Sequence, residues 1–231
     1  MGFLIGGLQQ SRMIAEDLVI PAGLSIEIPV MCVEVGRFSD CEASRAAGRA
    51  PLSVVSAGSQ GADVGRRQEK VWAAVQTHEH RSGQRPTHSL EQIMVEDRKN
   101  RETQRRIDEQ VTREFHALPH QVGLVATANG EPILMEMFGS PDLAREYIPD
   151  LIRGLAFDVD GYEPFPSTPE RIMEFLSDAS AVKFQHSTQP SGATRIQGAN
   201  GRVQLQGIWV ESRTYIHVMA TNSRHPIMSG V

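Results

Sequence analysis

An α+β domain built of antiparallel strands and hairpins, with a helical segment inserted in the middle and a C-terminal β-meander, is the fold class that this sequence predicts. Three observations predict it. Leu24, Ile26, Ile28, Val30 and Cys32 alternate with Ser25, Glu27, Pro29 and Met31, the period of a strand with one buried face. Asn129-Gly130 lies between two strand-like runs, and three further runs follow Ala193 at hairpin spacing. Strands come in runs and helices in runs, which favours α+β over a doubly wound parallel sheet. The chain of 231 residues with 40% hydrophobic content is long enough to bury a sizeable core, and we read residues 1–231 as one domain.

Taken in order, Pro21-Ala22-Gly23 is a turn into the first strand. Pro29 has no N–H to donate to a ladder, so that strand belongs at an edge or carries a bulge. After Phe38 the composition changes to Ser, Ala, Gly and Arg, and residues 39–67 are expected to form a long, mobile surface loop. Val71, Trp72 and Val75 make one helical stripe. After Arg85-Pro86-Thr87 a second follows, through Leu90, Ile93 and Met94 and then Ile107, Val111, Phe115 and Leu118. Between them, Glu96 to Arg106 carries five basic and three acidic residues, which reads as a solvated face of mixed ion pairs. Val122 to Ala128 and Glu131 to Phe138 make a hairpin about Asn129-Gly130. Ser140-Pro141-Asp142 supplies an N-cap, a first-turn proline and an acid for a helix to about Ala156, and Thr168-Pro169-Glu170 repeats the signal. Ala193 to Gln197, Val203 to Glu211 and Thr214 to Ala220 complete the meander, with a turn at Asn200-Gly201.

The net charge of −5 offers no global field for nucleic acid. Cys32 and Cys41 are too few for a disulfide framework and no signal peptide precedes them, so two free thiols in a reducing cytoplasm are expected. Gly2 to Leu8 is apolar but far short of the ~20 residues that cross a bilayer. No metal or cofactor is expected. His78 and His80 are two apart on a helix and diverge, Pro119 interrupts the His116 and His120 pair, and Asp158 to Glu163 lacks the ligands of a calcium loop. No P-loop, no Gly-x-Gly-x-x-Gly after a strand and no Gly-x-Ser-x-Gly elbow occurs.

Polar groups are threaded through apolar sequence near the amino end, in Gly6-Gly7-Leu8-Gln9-Gln10-Ser11-Arg12 and in Ile28-Pro29-Val30-Met31-Cys32-Val33-Glu34-Val35-Gly36-Arg37-Phe38. Burying Glu34 or Arg37 unpaired would cost several kcal/mol, so they face water, pair with each other, or build a site. Cys32 could act as a thiolate beside Arg12 or Arg37, but its place in the alternation favours core packing. Trp72, one turn from Gln68, is a core anchor or a stacking platform.

Those two blocks, with Gln68 to Trp72 and the stretches Gly123 to Asp158 and Gly192 to His217, resemble the ARG- and rhodanese-phosphatase-superfamily-associated domain family. Against the family's pattern the chain is expected to be short at its amino end, Ser11 intervenes before the arginine, and Phe38 stands where the family has tryptophan. The resemblance implies an association with ADP-ribose or nucleotide-linked metabolism, and a small anionic ligand such as ADP-ribose or a nucleotide. In that picture Arg12 and Arg37 hold phosphate, Gln9 and Gln68 fix ribose or base with Trp72 beside them, and Glu34 acts as base or orients a hydroxyl. Binding without turnover, hydrolysis or transfer on such a ligand, and a purely structural or protein-interaction domain in which Glu34 and Arg37 form a structural pair are the readings the residues leave open.

Overall fold

The computed structural model describes residues 1–7, 10–35, 44–59, 61, 63–82, 88–96, 102, 105–107, 109–110, 113, 118–159, 162, 165–189, 191–210 and 215–229. Two antiparallel sheets organise it. Strands β1 (Phe3–Gly7), β2 (Arg12–Ile14), β3 (Val30–Cys32) and β4 (Ser44–Arg49) pair in the order β3-β2-β1-β4. The strand expected from Leu24 forms only at Val30–Cys32, because Pro29 cannot donate a ladder bond. Its carbonyl still accepts from Ala15 N at 3.3 Å, and β3 lies at the sheet edge, as a proline there requires. Leu24 and Ile28 are 59% and 37% exposed, so the alternation upstream of Pro29 does not serve a sheet.

Of residues 39–67, expected to be a long loop, those described fold instead into β4, helix α1 (Leu52–Ser59) and the start of α2 (Val64–Ser82), while 39–43, 60 and 62 lie outside the described residues. Small residues produced the misreading, since here they permit close approach. A Cβ on Gly58 would stand 2.6 Å from Met13 Cε, and one on Gly154 would stand 2.8 Å from the Ala50 carbonyl oxygen. Leu52, Val54 and Val55 join Leu4, Met13, Met31 and Val71 in the core.

Helix α3 (Leu90–Glu96) follows, capped by Ser89, whose Oγ accepts from Gln92 N at 3.4 Å. Strands β5 (Gly123–Ala128) and β6 (Glu131–Phe138) form the expected hairpin, with φ of 51° at Asn129 and 76° at Gly130. Gly130→Ala should cost about 1 kcal/mol in urea denaturation: a Cβ there makes only ordinary van der Waals contacts, the nearest with Arg171 Nη1 at 3.6 Å, so the left-handed backbone sets the penalty. Helices α4 (Pro141–Val159) and α5 (Pro169–Ser180) start where their caps place them, with Ser140 Oγ accepting from Leu143 N and Thr168 Oγ1 from Arg171 N. Strands β7 (Phe184–Thr188), β8 (Thr194–Ala199), β9 (Val203–Trp209) and β10 (Tyr215–Asn222) complete a six-stranded sheet, β5-β6-β10-β9-β8-β7, and α6 (Pro226–Ser229) ends the described chain. The meander is the expected one plus β7, a fully exposed edge strand without apolar alternation to announce it.

Phe175 and Ala179 of α5 cover one face of this sheet against Val203 and Ala220. Among the described residues, no helix is long and apolar enough to cross a membrane. A buried ion network links the two sheets. Arg49 of β4 reaches Glu136 of β6 with both terminal nitrogens, one bond at 3.0 Å, while His217 Nδ1 of β10 lies 2.7 Å from Asp17 Oδ2 in the segment after β2. His217 Nε2 stands 3.6 Å from Glu136 Oε2, so the four residues form one chain of alternating charge.

Candidate functional site

The edge strand β3 ends in a buried polar cluster, and its construction follows from its place at the edge of the sheet among the described residues. Gln68 of α2 takes that place: its Oε1 accepts from Cys32 N at 2.9 Å and its Nε2 donates to Cys32 O at 2.8 Å, closing the edge as a neighbouring strand would. Past the strand, Val35 N donates to His88 O at 2.8 Å and Leu90 N to Val33 O at 3.2 Å, so the segment before α3 lies alongside it.

These bonds bring Glu34 into the interior, 6% exposed. Its Oε1 accepts from Ser11 N at 3.1 Å and from Ser89 Oγ at 3.2 Å. Ser11, with no exposed surface, donates its hydroxyl to Glu91 Oε2 of α3, so two carboxylates flank one serine. The Cys32 thiol donates to Glu34 O at 2.9 Å and accepts from Gln10 Nε2. Gln10 Oε1 in turn accepts from Arg12 Nη2 at 3.3 Å. The cluster is thus a small network of amide, thiol, hydroxyl and carboxylate groups with one guanidinium at its half-buried rim.

Of the residues expected to form a site, Arg12, Glu34 and Gln68 gather around Cys32. Trp72 is half-buried on α2, one turn beyond Gln68. Gln9 and Arg37 lie outside the described residues. Cys32 itself is buried in the core, as its alternation suggested. Four members were not anticipated: Gln10, Ser11, Ser89 and Glu91. A signal existed for the last two, since Ser89-Leu90-Glu91-Gln92 has the spacing of a capping box, which places Ser89 at a helix start with Glu91 in the first turn.

A second constellation resembles a relay and is not one. Ser53 Oγ lies 2.9 Å from His78 Nε2 and Asp158 Oδ1 lies 3.4 Å from the same nitrogen, whereas a nucleophile relay needs the acid on the opposite ring nitrogen. Asp158 also accepts from Ser53 N at 3.3 Å, which caps the first turn of α1. His78 is buried and His80 exposed, so the two imidazoles do diverge.

The fold and the polar edge thus define an α+β domain with one concentrated amino-end cluster, and the comparisons place it. The model of the ARPP-1 family, the ARG and Rhodanese-Phosphatase-superfamily-associated Protein domain, matches residues 1–221, and the chain belongs to that family. No curated protein and no solved structure matches it.

Proposed function

We propose that this domain is a non-catalytic binding module for a small anionic ligand of the ADP-ribosyl or phosphorylated class, held where β2, β3 and α3 meet. The observation that supports the reading is the gathering of Gln10, Arg12, Glu34, Ser89 and Glu91 about Ser11 and Cys32. An edge closed for stability alone needs Gln68 and little else, because every further buried polar group must find its own partner. The mixture suits a molecule that carries hydroxyls and phosphate together. Glu34 and Glu91 accept from ribose hydroxyls, and Arg12 at the rim takes the phosphate. Phosphate alone would face two carboxylates and be repelled.

Calorimetric titration with ADP-ribose, AMP and inorganic phosphate tests this. ADP-ribose and AMP should bind and phosphate should not, and Arg12→Ala should weaken ADP-ribose at least about tenfold, roughly 1.4 kcal/mol. Uptake of none of the three by the wild type overturns the reading and leaves the cluster a structural edge. Turnover has one observation in its favour, the second carboxylate that α3 brings to Ser11. Mass spectrometry of ADP-ribose incubated with the protein decides it, since a product that disappears with Glu34→Gln requires catalysis.

A further inference from the structure

Beside the ion network, a cavity of about 260 Å³ opens toward the segment between β2 and β3. One wall is aromatic. Phe3 meets Tyr147 edge-on at 5.6 Å, Tyr147 stacks on Phe138 at 5.9 Å, and Phe138 lies 5.1 Å from the His217 ring. Another wall is Leu18, Ile20 and Ile28 from the intervening segment. Ile20 and Ile28 are 53% and 37% exposed, large apolar side chains left in water at the mouth of a hollow. Of the apolar positions that alternate before Pro29 and make no sheet, Ile28 lines this cavity.

The structure assigns this cavity to a small, uncharged, planar aromatic molecule of one or two rings. Size sets the upper limit, since about 150 Å³ of apolar space already accommodates one benzene ring. The wall of rings sets the shape, because aromatic faces and edges reward another ring in offset or edge-on contact. The floor sets the charge. Arg49 is paired with Glu136, His217 and the Met1 amino group with Asp17, and Glu16 with Arg67 and Arg195, so a charged ligand would bring an ion with no counterpart into a low-dielectric site. An apolar hollow with a few polar groups at its base is the usual form of a small-molecule site.

Indole and indole-3-carboxylate, which share a ring system and differ in charge, are the probes. Protein-observed NMR titration should show saturable indole binding with shifts at the methyls of Ile20 and Ile28, and binding of the carboxylate at least tenfold weaker. Leu18→Trp, which fills the cavity from a half-buried segment, should abolish indole binding with the circular dichroism spectrum unchanged. Ile20→Ser, at the exposed rim, should weaken it several-fold and serves if the tryptophan variant does not fold. No saturable binding by the wild type, equal binding of the two probes, or indole binding unaltered by both substitutions would each overturn the assignment.

Discussion

Replacing Arg49 with methionine is expected to cost the domain about 3–5 kcal/mol of folding stability, enough to consume much of what a domain of this size has. The reason is what stays behind. Glu136 has no solvent-exposed surface and sits on β6 facing the core, and its bidentate contact with Arg49 is the strongest compensation for its desolvation. Without the guanidinium, the carboxylate keeps, among the described residues, only His217 Nε2 at 3.6 Å, beyond hydrogen-bonding distance. Removing both partners should do far less harm, because a buried ion pair replaced by well-packed apolar groups is often close to neutral. Urea denaturation of Arg49→Met, Glu136→Leu and the double variant measures this as a cycle. A single-variant loss under about 1 kcal/mol, or a double variant as unstable as the sum of the singles, would show that the pair holds the sheets together less than its burial implies.

That network was barely legible in the sequence, for a reason visible at each of its residues. Asp17, Arg49, Glu136 and His217 are separated by dozens of positions, so only a topology known in advance joins them. One hint was present. In β6, Leu134, Glu136 and Phe138 share a face, and an acid between two buried apolar residues on an inward face demands a partner. By contrast, the Asn129-Gly130 hairpin and the helix starts at Ser140 and Thr168 were legible because their chemistry is local to four or five residues. So was the edge position of β3, which a single proline dictates. Residues 44–59 were misread because Ala, Gly and Ser signal both loops and close helix contacts, and only the packing distinguishes them. The candidate site was legible to the extent that it is dense in sequence. Arg12 and Glu34 come from the blocks that carry the family resemblance, whereas Ser89 and Glu91 arrive from the cap and first turn of α3 through tertiary pairing of Val33 and Val35.

The same network predicts how stability should depend on pH. Burial works against the charged form of His217, yet Asp17 at 2.7 Å and Glu136 beyond it override that and raise the imidazole from 6.5 to about 9. A group whose pKa is raised on folding contributes stability that is complete below its unfolded value and is lost as pH rises through the folded one. The contribution of His217 is therefore whole below pH 6.5 and disappears as pH rises through about 9, a change of about 3 kcal/mol. Glu136 runs the other way. Burial raises its carboxyl, but Arg49 and His217 together lower it from 4.5 to about 2, so its contribution is complete above pH 4.5 and lost as pH falls through about 2. Asp17 adds to the acid limb, since burial raises it while His217 and the Met1 amino group hold it well below the usual carboxylate range. Stability should thus be greatest between about pH 4.5 and 6.5 and fall on both sides. Denaturation curves from pH 3 to 9.5 measure the profile, and His217→Asn should flatten its alkaline limb while leaving an acid limb. A wild-type profile that is level from pH 6 to 9, or an alkaline decline that survives His217→Asn, would mean that this imidazole does not carry its charge into the folded interior.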